Sequence, residues 1–276
     1  MTRIITDSTC DLTLAEAEAL DLTMLSLHVN FGSESYEDKR TITNEQFYQK
    51  LRESETLPTT SLLNVGDFQQ AFSEFPDEPI VVLTISRKLS GTCQSAILAR
   101  EACGREDIYI VDSGTVSIGL GLLVKQAAAM RDSGVPAGEI AERLSALAGR
   151  VRVLAVLDTL KYLVKGGRLS GMQGAVGWLL MVKPLVSLEG GKVVTLKKAP
   201  GSKAAVRELA ALCSEAMPID REMPLCFGYS CSDGAMQKLR ELTGFPEAGD
   251  VYVIGSVVGT HAGPGVAAIA YFEKRD

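Results

Sequence analysis

Side chains able to grip a small acidic group recur in this sequence where apolar runs end. Thr6-Asp7-Ser8 closes the first run, Ser86 and then Ser90-Gly91-Thr92 follow IVVLTI, and Asp112-Ser113-Gly114 follows IYIV. Pro58-Thr59-Thr60-Ser61 precedes a helical pattern, and GTHAGPG (259–265) carries His261, one of only 2 histidines. The set is rich in hydroxyls, poor in carboxylates, and without an obvious nucleophile–base pair. Its chemistry is anion binding: hydroxyls and free N–H groups at a helix start donate to a carboxylate or phosphate. An imidazole beside them adds a donor when protonated, and a neighbouring carboxylate favours that form. The glycines around His261 read as clearance for a bound group.

Several of these residues carry a plainer reading as well. SGTCQSA (90–96) is either an ordinary helix N-cap by Ser90 or Thr92, or a cradle in which Gly91 lets backbone approach a ligand. Asp7 and Asp112 read as strand-end turn residues before they read as metal ligands, and His28 as a surface or interdomain residue. The cysteines at 10, 93, 103, 213, 226 and 231 form no C-x-x-C pair, so they read as reduced thiols packed as small apolar residues, and no metal site is expected. A G-x-S-x-G elbow, a P-loop and a complete G-x-G-x-x-G are all missing, which weakens hydrolase, NTPase and dinucleotide readings. The rival to a binding protein is a hydrolase or phosphotransferase using Asp7, Ser90 and His261 on a small acidic substrate.

The elements that must position these groups alternate. Strand-like runs at Arg3–Thr6, Ile80–Ile85, Ile108–Val111 and Val151–Leu157 are nearly continuous in apolar residues, which suits parallel strands buried on both faces. Helical patterns lie at Gly66–Phe75, Thr92–Ala102, Ser117–Arg131 and Ala137–Leu147. An N-terminal parallel-sheet α/β domain over 1–158 is expected, with a hairpin excursion at about 22–57 that turns at Gly32-Ser33. After about Asp158 the texture changes to helices beside hairpin-type strands, with Gly190-Gly191 as a two-residue turn and strands at Leu225–Tyr229, Val251–Val257 and Val266–Phe272. A C-terminal α+β domain over 159–276 is expected. GMQGAVGWLLMV (171–182) reads as a buried helix or as a lid over an apolar tunnel, with Trp178 and Leu179 as its tunnel or lid residues. Lys192, Lys197, Lys198 and Lys203 read as a solvated face.

Composition narrows the partners. The 276 residues carry a formal net charge of -6, with 46% hydrophobic and 22% charged residues, so a nucleic-acid binder is not expected. No apolar run reaches the roughly 18 residues of a membrane span, and the N-terminus runs straight into a strand. A cytoplasmic protein without a transmembrane segment is expected; transient membrane contact stays open.

Seven stretches, in order, resemble the DegV family of bacterial fatty-acid-binding proteins: IITDSTCDL (4–12), PTTS (58–61), ISRKLSGTCQSA (85–96), VDSGTVSIGLG (111–121), LKYLVKGGRLSG (160–171), KPLVSL (183–188) and GSVVGTHAGPG (255–265). The resemblance runs nearly end to end. It implies a two-domain fold with a long-chain fatty acid, such as palmitate or oleate, in a tunnel between the domains, and no cofactor or chemistry of its own. It implies that Thr60, Ser90 and His261 hold the carboxylate, with the Gly91 amide beside them. It also implies presentation of the acid to a separate fatty acid kinase for acyl phosphate formation and lipid synthesis, with Arg168 of KGGR as a docking residue. Two departures mark this chain: TSLLN stands where the family often has TSQPS, and VVTLKKA (193–199) lacks the arginines that kinase-linked members tend to carry. Burying about 15 methylenes at roughly 0.8 kcal/mol each yields on the order of 12 kcal/mol gross. Association costs an estimated ~4–15 kcal/mol, so head-group hydrogen bonds decide retention.

Overall fold

The apolar runs of the N-terminal half build one all-parallel layer. In the computed structural model, which describes residues 1–169 and 182–274, β1 (Arg3–Asp7), β2 (Leu22–Leu25), β6 (Ile80–Thr84) and β7 (Ile108–Asp112) pair in the order β2-β1-β6-β7. Every residue of β6 is buried, as a β-branched run covered on both faces should be. The helices α1 (Leu14–Ala19), α3 (Val65–Ser73), α4 (Thr92–Cys103), α5 (Ile118–Asp132) and α6 (Ala137–Ala148) connect or follow these strands. Their apolar faces fill two clusters, one around Leu120, Leu123 and Ile140, the other around Phe68, Phe72 and Val82.

A small antiparallel sheet stands beside this layer. It is formed by β3 (His28–Phe31), β4 (Glu34–Glu37) and β5 (Thr59–Ser61), in the order β4-β3-β5. Gly32 turns the hairpin at a φ of 59°, a region glycine enters without steric cost. Between β4 and β5 runs α2 (Asn44–Glu53), started by a capping box of Thr43 and Gln46. The excursion is shorter than the sequence suggests. Leu22–Leu25 pairs in parallel with β1; a half-buried edge strand alternates just as a hairpin strand does.

The second large layer is a six-stranded sheet ordered β10-β9-β8-β13-β11-β12. Its strands are β8 (Val151–Val156), β9 (Val182–Glu189), β10 (Lys192–Pro200), β11 (Leu225–Tyr229), β12 (Asp250–Val253) and β13 (Ala267–Phe272). The β9–β10 turn is Gly190-Gly191, with φ of 54° and 78°, as two-residue hairpins prefer. The remaining helices are α7 (Lys161–Lys165), α8 (Gly201–Glu215), α9 (Gly234–Thr243) and α10 (Ser256–Ala262).

Three expectations need correction. β8 does not extend the parallel sheet; it lies antiparallel to β9 and β13, so the second layer begins before residue 158. One of its faces joins the cluster of α8 and the other faces α5, and a strand buried on both faces reads the same in either orientation. The strand expected over Val251–Val257 stops at Val253, and His261 sits on α10 rather than in a loop. SVVGTHA is rich in β-branched residues and glycine, a poor helix former whose tertiary contacts overrule its propensity. Finally, α9 had no counterpart in the sequence reading. Trp178, Leu179 and most of the expected lid lie outside the described residues. Among the described residues no helix is long and apolar enough to cross a membrane.

Candidate functional site

Three separate parts of the chain bring polar groups to one cavity. β5 enters it with Thr60, held against Val29 of β3. The Ser86–Gly91 loop after β6 contributes Ser90 and Gly91, and α10 contributes His261. Most of the remaining wall is apolar, with Ser117, Arg168 and Ser187 as its other polar residues. Val153 and Leu157 come from β8 and the residue after it, Val186 from β9, Val266 from the segment before β13, and Val257 from α10. The cavity thus lies against the six-stranded sheet on one side and against α10, β5 and the Ser86–Gly91 loop on the other. It offers a largely apolar surface bordered by a few polar groups.

Thr60 Oγ1 and His261 Nε2 are 3.0 Å apart. Burial, with Arg168 adding a like-charge effect, pushes the His261 imidazole down to about 4. The ring is therefore neutral near pH 7 where no carboxylate lies beside it. Its buried Nδ1 has no hydrogen-bond partner among the described residues. Ser90 Oγ lies 3.0 Å from Thr92 Oγ1 and accepts from the Thr92 N–H at 3.3 Å. Ser90 therefore caps the first amide of α4 while bordering the cavity. Gly91 precedes that helix, and a Cβ there would come 3.0 Å from Leu62 Cδ2. Leu62, within the divergent TSLLN stretch, lines the cavity while 45% exposed.

Arg168 also borders the cavity. Its Nε donates to the Leu89 carbonyl at 3.2 Å, and its Nη1 to the Gly166 carbonyl. Among the described lining residues it is the one cationic side chain. The family resemblance implies a docking role for it; it lines the same cavity as Thr60, Ser90 and His261. The glycines also do different work from that expected. A Cβ on Gly259 would come 2.6 Å from Tyr48 Oη, one on Gly263 would come 2.3 Å from the Tyr162 ring, and one on Gly265 would strike the Asp158 carboxylate. They let α10 pack against α2 and α7. The clearance for His261 comes from Gly166, whose added Cβ would lie 2.3 Å from Nδ1. Its signal in the sequence is the Gly166-Gly167 pair.

The rival triad does not assemble. Asp7 is fully buried, and its carboxylate accepts from Thr9 N at 3.0 Å and from Ile85 N at 2.7 Å. Burial pushes it up to about 6 against these hydrogen bonds. His261 pairs with Thr60 and Ser90 with Thr92, so no serine–imidazole–carboxylate relay forms among these residues. Asp112 accepts from Arg87 N and Gly114 N at 3.1 Å each, a turn role. Among the described residues no cluster of His, Cys, Asp and Glu could hold a metal ion.

Comparison with known proteins completes the picture. The model of the DegV family, described as uncharacterised, matches residues 1–274. A DegV domain-containing protein of Caldanaerobacter subterraneus is 31% identical over 281 residues, covering 98% of each chain. The structure of a Thermus thermophilus DegV family protein, described by its fatty acid binding, superimposes with a TM-score of 0.89 at 31% identity over 99% of both chains. A Thermotoga maritima protein described as revealing a fatty acid binding function superimposes with a TM-score of 0.83 at 26% identity, again over 99% of both.

Proposed function

The chain belongs to the DegV family, and from that premise we propose that it binds a long-chain fatty acid and presents it to another protein. The observation that carries this reading is the cavity itself: an apolar wall bordered by Thr60, Ser90, His261 and Arg168. The tail lies along Val153, Val186 and Val266, and the carboxylate meets the hydroxyls, the Gly91 amide and the imidazole. Arg168 supplies the charge that a buried carboxylate requires. The fatty acid binding of the Thermus thermophilus relative supports the same assignment.

No reaction is assigned to the chain: Ser90 pairs with Thr92 rather than with His261, and Asp7 is tied to the Thr9 and Ile85 amides. For the recipient we propose a fatty acid kinase that phosphorylates the presented carboxylate, a reading supported by the ordered motifs. A cytoplasmic location agrees with six free cysteines. Mass spectrometry of the purified protein, native and then denatured, tests the ligand class. A mass excess released on denaturation as a free acid of about 14–18 carbons, the range suited to about 15 buried methylenes, is the expected result. His261→Ala weakens palmitate binding about tenfold or more, by loss of a hydrogen bond to a charged group, and leaves the melting transition cooperative. Wild-type affinity in that variant refutes the assignment of the head group.

A further inference from the structure

The helix that carries His261 does not secure its own beginning. α10 is 7 residues long and has no side-chain cap of its own. Its first amides are served from two remote segments. Gly255 N donates to Asp11 Oδ1 at 2.8 Å, and Ser256 donates to Asp38 Oδ1 from N at 3.2 Å and from Oγ at 2.6 Å. Both aspartates are buried. Lys39 Nζ lies 3.9 Å from Asp11 Oδ1, its side chain only 9% exposed.

Three of the residues that converge here hold left-handed backbone without being glycine: Asp11 at φ 59°, Lys39 at 67° and Ser117 at 61°. Strain of this kind persists only where the surroundings impose it. Asp11 also accepts from Ser117 Oγ with its second oxygen, and Ser117 lines the cavity. One carboxylate thus ties the start of α5 to the start of α10, two parts of the same cavity wall. Downstream on α10, Thr260 Oγ1 bonds back to the Ser256 carbonyl at 2.9 Å, so displacement of Ser256 is passed to the turn that holds His261.

Resting on the proposed carboxylate site, we propose that Asp11, Asp38 and Lys39 are positioning residues for ligand binding. They fix the first turn of α10 and so hold His261, about 1.4 turns further along the helix, in register with Thr60. The TDSTCDL stretch then serves the head group indirectly: its second aspartate never touches ligand but sets the helix that does. Other charged or titratable groups face this knot. Asp7 and the Cys10 thiol lie beside Asp11, Glu16 of α1 acts on Lys39, and Tyr48 of α2 donates from Oη to the Ile254 carbonyl at 2.9 Å. Burial pushes Asp11 up to about 6, opposed by Lys39 and its hydrogen bonds.

A double-mutant cycle on the full chain tests this, with palmitate affinity and melting temperature as readouts. Asp11→Asn is expected to weaken palmitate binding at least fivefold in the wild-type background and not to weaken it further in His261→Ala. Arg150→Met, which breaks a 2.6 Å pair with Asp220 at the far end of β8, serves as a destabilised control that keeps its affinity. Additive losses in the cycle, or wild-type affinity for Asp11→Asn, overturn the proposal. Should Asp11→Asn fail to fold, Ser256→Ala, which removes only one hydroxyl from Asp38, takes its place in the same cycle. A His261→Ala variant that binds like wild type refutes the carboxylate site itself, and with it the positioning role. A cycle that is additive while His261→Ala binds weakly overturns the positioning role alone.

Discussion

Gly166→Ala is a small change with a large expected effect on the head group. Gly166 ends α7 with φ -77° and ψ -8°, a conformation alanine adopts freely, so the backbone has no reason to resist. The space does. The new methyl would lie 2.3 Å from His261 Nδ1, 2.9 Å from Cε1 and 3.0 Å from the Tyr162 carbonyl oxygen. An ordinary contact is about 3.5 Å, so the imidazole must give way by roughly 1 Å. The 3.0 Å approach of Nε2 to Thr60 cannot survive a shift of that size, since hydrogen bonds fade beyond about 3.2 Å. Loss of a bond to a charged head group is worth about 1.5–3 kcal/mol, or about 10- to 150-fold in affinity. Gly167→Ala is the matched control. Gly167 sits at φ 70° with nothing among the described residues within 4 Å of its added Cβ, so alanine there costs about 1–2 kcal/mol of stability and leaves the ring untouched. Titration calorimetry with palmitate, paired with thermal melts, separates the two effects. Gly166→Ala binding within twofold of wild type refutes the placement of His261.

The buried charges predict opposed responses to pH in the ligand-free protein. His261 falls from 6.5 to about 4 on folding; as pH drops through that window the unfolded chain takes up a proton that the folded one refuses, and stability is lost. Asp7 and Asp11 rise from 3.8 to about 6, so the folded chain binds the extra protons and their contribution declines as pH rises through that window. His261→Ala deletes only the first effect, so its stability relative to wild type should improve by on the order of 2 kcal/mol between about pH 7.5 and 4.5. Denaturant titrations at the two pH values check this, and an unchanged difference refutes a neutral buried imidazole. Thiol labelling checks the packing: Cys103 and Cys231 are exposed and the other four buried, with Cys10 and Cys213 pushed up to about 12 by burial. Two adducts are expected on the native protein and six in denaturant; rapid native labelling of Cys10 contradicts the packing around the knot.

Much of the fold is legible because hydrophobic period and turn chemistry act locally. The parallel run of β1, β6 and β7 shows as apolar stretches, and the β9–β10 hairpin shows as Gly190-Gly191. What stayed hidden depends on contacts across the chain. The orientation of β8 is set by β9 and β13, both of which follow it in the sequence. The helical state of Ser256–Ala262 is imposed by Asp11 and Asp38, more than 200 residues earlier. The types of the proposed head-group residues are legible in the sequence, but the protonation of His261 is not. His261 is neutral because of burial and of Arg168, and neither is visible in GTHAGPG.

That neutrality bears on which head groups suit the cavity. An imidazolium beside Arg168 would place two positive charges in a poorly hydrated site, and the electrostatic cost falls on the imidazole because its proton is the easier one to lose. Arg168 remains a fixed cation at the cavity. A fatty acid carboxylate brings the matching negative charge, and its arrival raises the affinity of His261 for a proton. An ester or an alcohol brings no charge; it would cover Arg168 with apolar chain and leave that cation without a counter-ion, a penalty of the kind that makes breaking a buried pair costly. Selection for the free acid on the proposed function then comes less from attractive contacts to the right head group than from the unpaired charge left by the wrong one. Thr60 and Ser90, as neutral hydroxyls, orient either kind of oxygen and discriminate little, so the discrimination rests with Arg168 and with the ring that burial, aided by Arg168, keeps neutral.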